Sequence, residues 1–131
     1  MAILTDDVKK VLQDAVMWVL ATADQNGIPN AVPINYVDIL GDKQIMLVDI
    51  LMKKTLANLE VNKNVAVSVW HEEDGYQIKG TASIETSGAN FESGVAQVKK
   101  DKPFLDPKGV VIVDITEIYL TTPGPDNGKK L

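Results

Sequence analysis

Apolar and polar residues along this chain follow two periods, and the places where one gives way to the other mark its elements. Val8, Val11, Leu12 and Ala15 recur at three- and four-residue steps, the spacing of one helical face, so a helix is predicted over residues 5–15. Thr5 suits its N-cap, and Asp6 and Asp7 suit its first turn. From there the pattern shortens to two. Residues 16–24 are rich in β-formers and run into Gln25-Asn26-Gly27, a hairpin signal of the Asn-Gly kind. A second strand is predicted over 30–40, with Pro29 and Pro33 marking exposed ends or an exposed edge. Gly41-Asp42 turns the chain into a third strand over 44–50. A short helix follows, then strands over 64–71 and 76–85 joined by a turn at 72–75, the latter alternating clearly in Gln77-Ile78-Lys79-Gly80-Thr81-Ala82. Residues 90–100 read as a helix with Phe91, Val95 and Val98 on one side, and 110–120 as the sixth strand. Residues 1–122 thus form one predicted domain, and 123–131 a Pro/Gly/Lys tail with little to bury. Six short strands with hairpin turns and flanking helices predict a mostly β protein, a small antiparallel barrel.

Composition narrows the function. At 131 residues and 45% hydrophobic, the chain is one domain's worth and can build a core. No apolar run is long enough to span a membrane, and the N-terminus lacks the basic start and apolar stretch of a signal peptide, so a cytoplasmic protein is expected. Cysteine is absent, which removes disulfides and thiolate metal sites. The net charge is −5, and all 13 basic residues are lysines. That balance argues against binding nucleic acid, which needs a concentrated positive surface. It also means that any anion site must use lysine, hydroxyls and backbone N–H groups, without the arginine fork.

One segment stands out against this acidic background. Met52-Lys53-Lys54-Thr55-Leu56-Ala57-Asn58-Leu59 places two ammonium groups, a hydroxyl and a carboxamide at the start of the short helix. The first turn of a helix exposes unpaired N–H groups and the positive end of the dipole, so Lys53, Lys54 and Thr55 there make a receptor for a phosphate. The plainer reading is a solvated lysine pair behind an ordinary Thr55 N-cap.

Taken in order, these residues resemble the FMN-binding split-barrel family related to pyridoxamine 5′-phosphate oxidase. The likeness lies in the opening helix and Val19-Leu20-Ala21-Thr22-Ala23-Asp24, in Asn26-Gly27 and Pro29-Asn30-Ala31-Val32-Pro33, and in the phosphate segment Lys53-Lys54-Thr55-Leu56-Ala57-Asn58-Leu59. It continues in Ile78-Lys79-Gly80-Thr81-Ala82 and in the closing Tyr119-Leu120-Thr121-Thr122-Pro123-Gly124-Pro125. The resemblance implies a six-stranded antiparallel split barrel and a homodimer with two FMN sites at the subunit interface. It implies that Lys54 and Thr55 hold the phosphate, with Lys53 helping and Asn58 nearby. Val32, Pro33, Ile34 and Asn35 would border the isoalloxazine, Val48, Asp49 and Ile50 its other edge, and Gln77 and Lys79 would make polar contacts to the flavin or phosphate. Pyridoxamine-phosphate oxidases proper carry a longer basic C-terminal segment that binds their substrate. This chain ends soon after its last strand, so that activity is not expected.

The other candidates weigh less. His71 lies beside Glu72, Glu73 and Asp74, but adjacent strand residues point to opposite faces, so no metal is expected. Trp18 and Trp70 read as core or interface, and Asp38 and Asp49 as exposed strand positions, though Asp49 could lie near the ring. The resulting expectation is a small flavoprotein that passes electrons or hydride between FMN and an unnamed small molecule. Its rivals are a carrier that holds the cofactor without turnover and a reductase that uses a deazaflavin in the same phosphate site.

Overall fold

A computed structural model describes residues 2–131. Helix α1 (Asp6–Asp14) is capped by Thr5, whose hydroxyl accepts the Val8 N–H, and it buries Val8, Val11 and Leu12. The strands are β1 (Trp18–Ala23), β2 (Pro29–Ile34), β3 (Val37–Leu40), β4 (Gln44–Asp49), β5 (Asn64–His71), β6 (Asp74–Glu85) and β7 (Gly109–Leu120). Helix α2 (Lys54–Val61) lies between β4 and β5, and α3 (Ala89–Asp101) between β6 and β7. All pairings are antiparallel, in the order β2-β1-β5-β6-β7-β4-β3.

The sheet has seven strands rather than six because the second predicted strand is two. Within β2 the half-buried positions are Asn30, Val32 and Ile34; beyond the break Val37 and Ile39 pack on the same core, while Leu40 is half-buried against the α3 cluster. The period-two alternation slips by one residue at Asn35-Tyr36. The chain there leaves one edge of the sheet and joins the other, which curls the sheet into a split barrel. The β5–β6 turn is also tighter than expected: His71 already pairs with Asp74, leaving Glu72 and Glu73 to turn, with Glu72 at φ 55°.

The barrel interior holds Leu20, Ile45, Leu47, Val67, Val69, Ile78, Val111, Val113 and Ile118. Helix α1 and Trp18 close one end, with the Trp18 indole N–H donating to the Leu12 carbonyl at 3.0 Å. Trp18 is thus core, whereas Trp70 is 49% exposed on its strand. Burying a side chain of this size contributes about 1.5–3 kcal/mol. Helix α3 packs on the other face of β4 and β7, where Val98 meets Met46, Val48, Val110 and Ile112. Gly94 permits this approach: a Cβ there would stand 2.7 Å from Val110 Cγ1. β4 is therefore covered on both faces, and its apolar run is continuous where that of β5 alternates. Past Gly124 the tail folds back on the end of β7, where Leu131 N–H donates to the Ile118 carbonyl and Gly128 N–H to that of Leu120. No helix among the described residues is long and apolar enough to cross a membrane.

Candidate functional site

A cleft of about 590 Å³ opens between β2, the end of β4 and the start of α2, a volume suited to a cofactor-sized molecule. Val32, Pro33, Ile34 and Asn35 line it from the β2 side, Val48 and Ile50 from the β4 side, and Lys53, Lys54 and Thr55 from α2. The chain therefore gathers nine of the residues singled out from the sequence around one cavity.

The phosphate-like end has an open donor set. Lys53 occupies the N-cap position without capping the helix through its side chain, and the helix proper begins at Lys54. This corrects the expected Thr55 cap. The first helical hydrogen bond runs from Ala57 N–H to the Lys53 carbonyl. Among the described residues no protein acceptor pairs with the N–H groups of Lys53, Lys54, Thr55 or Leu56. Neither Lys53 nor Lys54 makes an ion pair there. Four unpaired N–H groups and two ammonium groups can together hold a doubly charged anion.

Thr55 and Asn58 are placed differently from a pair of surface ligands. Thr55 is 2% exposed, and its hydroxyl accepts from Asn30 Nδ2 at 3.0 Å. Asn58 is buried and donates to the Thr22 hydroxyl at 3.0 Å, which also accepts from Asn30 at 3.3 Å. This four-residue network fastens the first turns of α2 to β1 and β2. Its members leave no buried side-chain atom unpaired among the described residues, and a satisfied network of this kind fixes geometry.

Asp49 corrects another expectation. The strand pattern predicts an exposed position, yet Asp49 is 2% exposed and does not border the cleft. Its carboxylate accepts the Met52 N–H at 3.0 Å beneath the turn that carries Ile50 and Leu51. Gln77 and Lys79 are not brought to the cleft within one chain. They lie on β6, separated from β2 by β1 and β5, and Lys79 stands 5.5 Å from the centre of the Tyr119 ring.

Several cleft residues carry no site role in the sequence pattern, although Asn30 and Met52 lie within the segments quoted from it. Asn30, Tyr36, Leu51, Met52, Lys102 and Leu105 also line it. Tyr36 sits in the strand break and donates to the Asp101 carboxylate at 2.5 Å, which holds its phenol above the usual tyrosine range. Lys102 and Leu105 belong to the loop after α3, which Lys99 pins by donating to the Pro103 carbonyl and the Asp106 carboxylate. Pro103 marks a helix end in the sequence, but nothing in the local pattern aims this loop at β2. Among the described residues no group of three or more His, Asp or Glu side chains converges as a metal site would require.

The family profile described as pyridoxamine 5′-phosphate oxidase matches residues 4–122. An uncharacterised protein of Methanocaldococcus jannaschii, MJ0282, is 38% identical over 129 residues, covering 96% of this chain and 86% of its own. Among solved structures, HupZ of group A Streptococcus superposes with a TM-score of 0.83 at 25% identity, over 95% of this chain and 99% of that one. An FMN-binding protein of Syntrophomonas wolfei gives 0.78 at 19% identity, over 87% and 82%. The curled antiparallel sheet with its flanking helices is a split barrel. The chain belongs to the pyridoxamine 5′-phosphate oxidase family.

Proposed function

We propose that this protein is a flavoprotein that binds FMN in the cleft and passes electrons or hydride between it and a small molecule. The reading rests on one juxtaposition: an apolar slot between β2 and Val48-Ile50 that runs into the Lys53-Lys54 end of α2, with its unpaired N–H groups. A flat ring system fits the slot and a phosphomonoester fits the donor set. When bound, the flavin supplies the redox chemistry, while the chain's own residues bind, orient and shield it. Lys53, Lys54 and the first turn of α2 would hold the phosphate. Val32, Pro33, Ile34, Asn35, Val48 and Ile50 would flank the ring.

The purified protein is expected to be yellow, and the chromophore released on denaturation is expected to co-elute with FMN. Release of a deazaflavin would favour the reductase rival. Recovery of FMN that no nicotinamide or deazaflavin donor reduces in stopped flow would favour the carrier.

The working unit in this reading is a homodimer, since the outer face of β1, β2 and β5 is uncovered and carries small side chains beside the half-exposed Trp70. Ala31, Ala21 and Ala66 are neighbours in register, as are Pro33, Val19 and Ser68. Lys79 continues the first row and Gln77 the second. In such a dimer Gln77 and Lys79 would face the second copy, and this would give them a route to a flavin they cannot approach in their own chain. Ala21→Lys, at the centre of the face, is expected to sediment as a monomer and to bind FMN about tenfold more weakly or worse. A monomeric variant with wild-type FMN affinity would contradict the shared site.

A further inference from the structure

Met52 is gripped from both sides. Its N–H donates to the buried Asp49 carboxylate at 3.0 Å, and its carbonyl accepts from Lys108 Nζ at 2.8 Å. Lys108 also donates its backbone N–H to the Asp49 carbonyl at 2.8 Å, and its ammonium lies 3.7 Å from the Asp49 carboxylate. The Met52 side chain is itself in the core, 7% exposed. The residue directly before the lysine pair is thus fixed at its donor, its acceptor and its side chain. Lys108 stands immediately before β7, distant in sequence, and it does not line the cleft.

The Met52 carbonyl is the group that would accept the Leu56 N–H if α2 began one residue earlier, because helical bonds run from residue i to i−4. In this structure it is turned to Lys108 instead, and Lys53 takes a non-helical φ of −126° and ψ of −74°. In a trans peptide the carbonyl and the following N–H point in opposite directions. Holding the Met52 carbonyl toward Lys108 therefore also sends the Lys53 N–H the other way. We propose that Lys108 and Asp49 are positioning residues: they keep the Met52 peptide out of α2, so that the N–H groups of Lys53 and Leu56 stay unpaired and available to an anion beside Lys53 and Lys54. This rests on the FMN reading for the identity of the anion, but the helix start it describes exists without ligand.

Two measurements separate the two claims. In ligand-free protein, amide hydrogen exchange at Leu56 is expected to slow several-fold in Lys108→Met relative to wild type, as the released carbonyl closes on that N–H. Lys108→Arg, which keeps a donor, is expected to exchange like wild type. Unchanged exchange in a folded Lys108→Met would overturn the clip whatever the cofactor is. The second measurement is the ratio of riboflavin to FMN dissociation constants. Lys108→Met is expected to lower it about tenfold, with riboflavin binding itself little changed. Equal loss for both ligands would mean that Lys108 is only a wall of the fold.

Removing a lysine also removes a charge near the phosphate, and Asp49 tests that alternative by sign. If charge alone acts, Asp49→Ala and Asp49→Asn both tighten FMN. If the clip acts, Asp49→Ala weakens FMN, and Asp49→Asn, which keeps an acceptor for Met52 N–H, weakens it less. Tighter binding in either folded variant would overturn the proposal. The isosteric Asp49→Asn carries the sign test if the alanine variant does not fold.

Discussion

Replacing Gly80 with alanine is expected to cost roughly 3 kcal/mol, a large part of the ~5–15 kcal/mol that holds such a domain together, and Gly80→Val is expected to leave little folded protein. Gly80 sits where the β6–β7 register shifts after Lys79. A Cβ there would lie 2.2 Å from the Asp114 carbonyl oxygen and 2.7 Å from Val113 Cγ1. A flexible side chain could turn away, but a sheet carbonyl cannot without breaking its ladder. The bulge bends β6 where it runs between β5 and β7. Gly27→Ala makes the comparison. That glycine has φ +82° but open space around it, so alanine meets only the backbone cost of a left-handed residue, about 1–2 kcal/mol. Urea midpoints read the difference. A Gly80→Ala protein as stable as wild type would contradict the close approach.

The second large effect is on binding. Lys53→Ala and Lys54→Ala are each expected to weaken FMN about tenfold, and the double variant about a hundredfold, since a hydrogen bond to a charged group contributes about 1.5–3 kcal/mol and solvent screens part of it. Both lysines are exposed and unpaired among the described residues, so their removal leaves no orphaned partner in the fold. The unfolding midpoint of the ligand-free protein is expected to stay near wild type, which separates lost binding from lost structure. The loss is also expected to shrink as salt rises, because an exposed ion contact is screened. Wild-type affinity in the double variant would place the anion elsewhere.

What the sequence disclosed was what local pattern encodes. The helical face of Val8, Val11 and Leu12, the alternation through β5 and β6 and the lysine pair at the start of α2 all depend on near neighbours in the chain, and each lies where the pattern predicts. The break at Asn35-Tyr36 was hidden because the residues on both sides are strand formers, and only the slip in which side chains are half-buried reveals it. Asp49 was read as exposed because a carboxylate in a strand is normally solvated; here the turn after β4 needs an acceptor for Met52 N–H, and the strand's end is covered. Threonine prefers a cap position, which is why the sequence points to Thr55 there, but Asn30 on β2 donates to its hydroxyl instead. Lys102 and Lys108 reach the site and its supports only after the long excursion through β5, β6 and α3, and no spacing rule connects them to Met52. Gln77 and Lys79 remain on the sheet's outer face, where a second copy is proposed to make use of them.

The α2 end of the cleft is proposed to hold a phosphate. Calorimetric titration of ligand-free wild-type protein with FMN and with riboflavin, under identical low-salt buffer, tests it most directly, since the two ligands share the ring and ribityl chain and differ only in that group. FMN is expected to bind at least tenfold tighter than riboflavin, with the gap narrowing at high salt. Equal affinity for the two would contradict it.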